Sequence, residues 1–249
     1  MIVFVFPVYN EEKNIGALLH NLSRAALSKR WDYRVVLSDD GSSDSTVSIA
    51  ESMRKDFPLE VVKNPINMGP GSAFDLGFRA ALRSSGKGDV IVTMEADNTS
   101  DLGVLEDMLE KVRSGCDVAL ASCYAKNGGV QGTTFFRKLL SQGANFLISM
   151  VSGSTGIRTF SSFYRCYSYD VLNRAYERYG DKFITEKGFV CAVEIFLKLK
   201  RLGARMEEVS MVLRCDRRKG KSKMKILKTT LSYMKLIFRE VFVLWLPKR

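Results

Sequence analysis

Along the first half of the chain, short apolar runs alternate with stretches of helical periodicity. The run "IVFVF" at residues 2–6 is β-branched and aromatic and predicts a strand, after which Ile15, Leu18, Leu19 and Leu22 recur at helical spacing. The alternation continues: "YRVVLS" (33–38) leads to a helix opened by "SSDST", and "LEVVK" (59–63) leads through "NPINMGPGS" to a helix near 72–84. "DVIVTM" (89–94) precedes a helix over about 101–113, and "DVALAS" (117–122) supplies a fifth strand. Strands this apolar, separated by helices, predict an α/β fold with a mainly parallel sheet covered on both faces.

Such sheets bind ligands at the carboxyl ends of their strands. Three polar clusters fall there: "PVYNEE" (7–12), "SDDGSSDST" (38–46) and "EADNTSD" (95–101), distant in sequence yet predicted to share one edge. After residue 122 the pattern loosens. A helix carrying Arg137 and Lys138 in its first turns, a helix around 188–202, a strand near 206–213, a basic loop and a terminal helix complete the chain. The expected division is a catalytic-sized α/β domain over 1–213 and an appendage over 214–249.

Composition changes this picture in two places. The formal net charge is +11, and residues 214–228 alone hold eight Lys or Arg against one Asp, a net of +7. Such a block points to an anionic partner: nucleic acid, a phospholipid surface or a phosphorylated substrate. It lacks the interleaved aromatics of a nucleic-acid groove, and the acidic sheet edge would repel a polynucleotide, so no nucleic-acid partner is expected. The last stretch, "ILKTTLSYMKLIFREVFVLWLPKR", is apolar but broken by Lys228, Lys235, Arg239 and Glu240. It suits an amphipathic helix, lying either in a membrane interface with Trp245 as anchor or on the protein's own core.

The remaining composition excludes more than it suggests. Hydrophobic and charged contents of 46% and 26% are those of a folded globular chain. Five cysteines without C-x-x-C spacing and a single histidine, His20, argue against zinc and against a disulfide framework. The chain opens directly on a strand pattern, with no basic leader and no cleavage site, so a cytoplasmic location is expected. "GPGSAF" (69–74) has only two of the three glycines of a dinucleotide fingerprint, and "GKS" (220–222) has Cys215 where a phosphate loop needs its first glycine.

Clustered carboxylates raise one another's pKa unless a cation or hydrogen-bond donors hold them. The acids at the predicted sheet edge therefore read either as a solvated turn or as part of a site for a hard divalent ion, Mg²⁺ or Mn²⁺, which uses one or two carboxylates plus substrate phosphates. Asp39 and Asp40 exceed what a helix cap needs, and Glu95 and Asp97 end a strand side by side.

Six stretches, "FPVYNEE", "SDDGSSDST", "MEADNTSD", "FFRKLLSQGANFL", "GFVCAVEIFLK" and "RRKGKSKM", resemble in order and spacing the family-2 inverting glycosyltransferases. Within them the chain is most similar to polyprenyl-phosphate sugar transferases of the dolichyl-phosphate mannose synthase type. The resemblance implies a GT-A fold, a nucleotide sugar of the GDP-mannose or UDP-glucose type as donor, a polyprenyl phosphate as acceptor, and peripheral attachment to an anionic membrane surface on its cytosolic face; the alternatives are transfer to a saccharide or other soluble hydroxyl, and a non-catalytic nucleotide-sugar- or membrane-binding homologue. It implies that Pro7, Tyr9, Glu11 and Asp40, with Asp39 alongside, hold the donor's base and ribose. Glu95, Ala96 and Asp97 correspond to the metal-binding D-x-D, with Thr99 close to the metal. Arg137 faces the acceptor phosphate, Lys219, Ser222 and Lys223 lie in a loop over the diphosphate, and Glu194 has a positioning role beneath the acceptor. The chain departs from the family where Glu95 replaces an aspartate, Cys123 an arginine and Phe163 a glycine.

Overall fold

The computed structural model describes residues 1–154, 156–220 and 226–245, and the side chains of 136, 137, 226–228 and 240–245 lie outside the described set. The chain runs β1 (Ile2–Val8), α1 (Ile15–Lys29), β2 (Tyr33–Asp39), α2 (Thr46–Ser52), β3 (Leu59–Lys63), α3 (Pro70–Arg83), β4 (Val90–Thr93), α4 (Leu105–Arg113) and β5 (Val118–Ser122). It continues through β6 (Gly129–Gln131), α5 (Phe135–Ser152), β7 (Arg165–Ser168), α6 (Tyr169–Tyr179), α7 (Cys191–Arg201), β8 (Met206–Ser210), β9 (Val212–Arg214) and α8 (Ile226–Trp245).

Strand alternation builds the two layers. In β1, Ile2, Phe4, Phe6 and Val8 enter one core, packed against Leu18, Leu19 and Leu22 of α1 and Leu105, Met108 and Leu109 of α4. Val3 and Val5 enter the other, with Phe74 and Phe78 of α3, Val171 and Leu172 of α6, and Ile195 and Phe196 of α7. Each such side chain contributes roughly 1.5–3 kcal/mol on burial, so the period-two pattern of one strand fastens helices to both faces.

The sheet has seven strands in the order β3-β2-β1-β4-β7-β5-β8. All neighbours are parallel except β7, which runs antiparallel between β4 and β5, pairing Thr93 with Arg165 and Leu120 with Arg165. The expected mainly parallel sheet with helices on both faces is what the chain forms; β7 and α6 had no counterpart in the sequence reading. The single strand expected near 206–213 divides at Met211. β8 stays beside β5, while β9 leaves the sheet to pair with β6, and Met211 bridges the two by donating to Ser122 O (3.0 Å) and accepting from Gly129 N (3.1 Å).

The terminal helix packs one face on the protein's own core, one of the two placements expected from its sequence. Tyr233, Leu236 and Ile237 pack into the core on one face, whereas Leu231, Met234 and Phe238 point outward, Phe238 at 74% exposure. α8 packs on α5, which also turns Phe135, Leu139, Phe146 and Met150 to the outside. Among the described residues no helix is long and apolar enough to cross a membrane.

Candidate functional site

Because β2, β1 and β4 are parallel neighbours, their carboxyl ends open on one edge, and the polar clusters that follow them meet there. Hydrogen bonds stitch the first two together. Asn10 N donates to Ser42 Oγ (2.8 Å), Glu11 N to Thr46 Oγ1 (2.7 Å), and Ser43 N to Asn10 Oδ1 (2.8 Å). Asn10 takes a positive φ of 52°, which Asn tolerates better than most residues. The third cluster joins through Asn98, whose Nδ2 donates to Asn14 O (3.1 Å). Pro7 sits in register with Ser38 at the end of β1, with Tyr9 and Glu11 just beyond, half-buried at the lip.

Asp39 and Asp40 are both buried, and they do different things. The Asp39 carboxylate accepts Ser42 N (3.2 and 3.1 Å) and closes its own turn. Asp40 accepts three bonds, from Asn64 Nδ2 (2.9 Å), Met68 N (2.9 Å) and Gly69 N (2.8 Å), so it fixes the 64–69 loop as the floor of the opening. That loop delivers α3 against the 185–187 segment. A Cβ on Gly69 would lie 2.3 Å from Lys187 O, and one on Gly71 only 1.9 Å from Glu186 O. The glycines of "GPGS" thus permit one backbone to touch another, which explains them without a dinucleotide.

Glu194 holds the other side of this contact. At 2% exposure its carboxylate accepts Thr185 N (2.9 Å), Glu186 N (2.7 Å), Thr185 Oγ1 and Lys198 Nζ (2.7 Å). Burial would raise its pKa, but Lys198, Thr185 and Glu186 outweigh burial and hold it below the ordinary carboxylate range. Arg239 of α8 reaches the same place, pairing with Glu186 (3.1 Å).

Glu95 and Asp97 share a turn, with buried Ala96 between them, yet face different partners. Glu95 accepts Ser100 Oγ (2.9 Å) and Phe163 N (3.2 Å), and burial first, then the charge of Asp97, raises its pKa. Asp97 accepts Thr99 N (3.1 Å) and Thr99 Oγ1 (2.6 Å) on Oδ1, leaving Oδ2 toward the opening. There it meets Arg218, whose Nε donates to Oδ2 (2.6 Å) and whose Nη2 lies against the same oxygen.

The basic segment therefore lies across the site. Arg214 N donates to Thr99 O (2.9 Å), and the backbone of Lys219 exchanges two bonds with the buried Asn14 carboxamide, Lys219 N to Oδ1 (3.1 Å) and Nδ2 to Lys219 O (3.0 Å). The Lys219 side chain is exposed. Ser222 and Lys223 lie outside the described residues, as does the side chain of Arg137. Asn14 and Arg218 were not singled out from sequence. Arg218 stood in the same basic block as Lys219, but nothing there indicated which of its cations would reach an acid 121 residues away.

The departures from the family pattern have local explanations. Phe163 packs its ring on Phe74 (4.6 Å between centroids) and Phe189 (6.1 Å), so aromatic contact fills the space a glycine would leave. Cys123 is a neutral thiol, pushed up to about 11 by burial, so no charge replaces an arginine at the end of β5. Arg165 is fully buried and donates to Ala192 O (2.9 Å) and Phe160 O (2.6 Å), pinning α7 to β7.

Among the described residues, no three His, Cys, Asp or Glu side chains are grouped to hold a metal. A hard divalent ion that arrives with a diphosphate does not need three protein ligands. Asp97 suits it: one oxygen is fixed by Thr99, and the other already faces a positive charge. The two oxygens of Glu95 are taken by Ser100 Oγ and Phe163 N.

Residues 3–175 match the sequence profile described as Glycosyl transferase family 2. The chain is 34% identical over 140 residues to a dolichol-phosphate mannosyltransferase of Pyrococcus furiosus, covering 56% of this chain and 38% of that protein, so it spans well under half of that relative's length. It is 28% identical over 222 residues to a polyprenol monophosphomannose synthase of Mycolicibacterium smegmatis, covering 88% and 79% respectively. Among solved structures, glucosyl-3-phosphoglycerate synthase from Mycobacterium tuberculosis, in complex with Mn²⁺, uridine diphosphate and phosphoglyceric acid, superposes with a TM-score of 0.66 at 18% identity over 100% of this chain and 80% of that one. TarS of S. aureus with UDP-GlcNAc gives 0.60 at 21% identity, covering 96% and 66%. At such identities the two structures speak to the fold alone.

Proposed function

Since the chain belongs to glycosyl transferase family 2, we propose that it moves a hexose from a nucleotide sugar to a polyprenyl phosphate at an anionic membrane surface, with Mg²⁺ or Mn²⁺ as cofactor. The fold is GT-A and the protein is a glycosyltransferase; donor, acceptor and metal are the proposal. The observation that carries the acceptor class is the outward apolar face shared by α5 and α8. α5 follows β6 and α8 follows the basic segment after β9, so both helices leave a pair of strands whose last residue, Arg214, donates to Thr99 O beside Asp97. Exposed aromatic and aliphatic side chains beside a dense positive charge suit a helix pair seated in an anionic leaflet. This would hold the protein peripherally, on the cytosolic side.

The acidic side chains agree with a phosphate acceptor. A phosphate monoester's second pKa is about 6, so near neutral pH the acceptor is already an oxyanion and needs no general base. A sugar hydroxyl would need one. Glu194 is buried and bound by four donors, Glu95 by two, and Asp101 caps Gly103 N (2.9 Å).

In this reading Pro7, Tyr9, Glu11, Asp39 and Asp40 shape the donor's base and ribose subsite, directly or through the turns they close. Asp97, with Thr99 orienting it, would hold the metal. The bound ion would neutralise charge on the leaving diphosphate as a Lewis acid. Lys219 and Lys223 would add positive charge over the same group and Ser222 a hydroxyl donor, and Arg137 would meet the acceptor phosphate. The acceptor oxygen forms its bond to C1 as the bond from C1 to the diphosphate breaks, the electron pair leaving with the diphosphate, so the anomeric centre inverts. Glu194 acts by positioning the 185–187 segment.

The test is nucleoside diphosphate release across an acceptor panel: polyprenyl phosphate in anionic vesicles, free saccharides, and small phosphorylated acids. Release that requires polyprenyl phosphate is expected. Equal release with soluble acceptors would defeat the assignment.

A further inference from the structure

We propose that Arg218 is a built-in counter-cation for Asp97, and that it makes metal binding depend on a nucleoside diphosphate. The proposal rests on the reading of Asp97 as the metal-holding carboxylate. Asp97 has no unoccupied oxygen: Thr99 takes Oδ1 through its N–H and hydroxyl, and the Arg218 guanidinium takes Oδ2. A cation arriving at this carboxylate must displace one of them. Thr99 is fully buried and adjacent in the turn, whereas the Arg218 side chain is 27% exposed at the end of a surface segment. Arg218 is the group that leaves.

Its position is held by more than charge. The segment is fastened at three points: Arg214 N on Thr99 O, Arg218 on Asp97, and Lys219 on the Asn14 carboxamide. Asn14 is itself fixed, donating to Glu11 Oε2 (2.7 Å) and accepting from Asn98 on its carbonyl. Asn14 and Asn98 thus tie the segment to both neighbouring clusters, and a guanidinium on this strap is presented to Asp97 with little freedom to lose.

The consequence is a coupling between two ligands. A bare divalent ion would have to break a charge-assisted pair and leave Arg218 without its acid. A nucleoside diphosphate brings negative charge that compensates both the ion and the released guanidinium. Metal and nucleotide should each strengthen the other's binding, by the same factor in both directions. Without nucleotide, the strap keeps Asp97 neutralised.

Mn²⁺ titrations of the full chain, followed by loss of the free-ion EPR signal with and without GDP or UDP, test this. In the wild-type chain nucleotide should tighten Mn²⁺ binding strongly. Arg218→Gln should bind Mn²⁺ alone about tenfold tighter or more, as expected for removal of a charge-assisted competitor, and the gain from nucleotide should shrink by a similar factor. Arg218→Lys, which keeps the charge but not the fork, should fall between. An Arg218→Gln chain whose Mn²⁺ affinity without nucleotide is unchanged or weaker overturns the proposal. Should the wild-type chain bind no Mn²⁺ even with nucleotide, or Asp97→Asn bind it equally well, the metal assignment fails and the proposal with it, which separates the two.

Discussion

Replacing Glu194 with Gln separates a structural clamp from a catalytic base. Of its two oxygens, Oε2 accepts the N–H groups of Thr185 and Glu186, and a glutamine carbonyl can keep both. Oε1 accepts Lys198 Nζ at 2.7 Å and the Thr185 hydroxyl; the hydroxyl can turn to accept from the new amide, but at Lys198 donor would be set against donor. The loss is one charge-assisted hydrogen bond at a side chain 2% exposed, about 2 kcal/mol, moderated because Lys198 still reaches the carbonyls of Lys182 and Phe183. For a chain of this size that is a fall in Tm of roughly 4–8 °C. The sign with pH follows from the depressed pKa of Glu194. Its stabilisation is complete above the unfolded carboxylate pKa, about 4.3, and is lost as pH falls through the lower folded value. The gap in Tm between wild type and variant should therefore be full at neutral pH and close in acid. Circular dichroism melts at several pH values read this directly, alongside kcat measured well below Tm, where the variant should keep most of its activity. A loss of about 10²–10⁴ in kcat with no change in Tm would identify a general base and refute the clamp.

Gly71→Ala drives a Cβ to 1.9 Å from Glu186 O, so the α3 contact must open, and a loss of about 2 kcal/mol or more should appear in denaturant unfolding; an unchanged midpoint would mean the two backbones do not touch. Asp97→Asn should abolish metal-dependent binding of a nucleoside diphosphate, whereas Glu95→Gln, which alters a carboxylate bound to Ser100 and Phe163, should retain it in calorimetric titrations; the reverse pattern would move the metal to Glu95. The double change Leu231→Glu and Phe238→Glu lies on the outward face of α8 and should end cosedimentation with anionic vesicles while nucleotide binding persists; continued cosedimentation would remove that face from membrane contact.

The five parallel strands and the convergence of the acidic clusters were legible because they rest on local signals. Val35 to Leu37 and Val90 to Val92 are buried on both faces and read as unbroken apolar runs. β7 was not legible: its four residues begin with an arginine, and Arg165 enters the core only because Phe160 and Ala192 present carbonyls to it. α6 did carry a signal, with Ser168 capping Val171 N and Val171, Leu172 and Ala175 on one face, but its charged residues obscured it. The break at Met211 follows from which strand lies alongside, which sequence does not state. At the site, residue types were readable and their partners were not. Asp40 proved to hold a loop, Glu95 and Asp97 to take different partners, and Arg218 to reach Asp97 from 121 residues away.

The most direct test of the account is transfer of labelled sugar by the purified chain, given GDP-mannose or UDP-glucose, Mn²⁺ and anionic vesicles carrying polyprenyl phosphate. Label is expected in the organic-extractable lipid, joined through phosphate with inverted configuration at C1. Label found only in a water-soluble acceptor, with the lipid phosphate untouched, would contradict it.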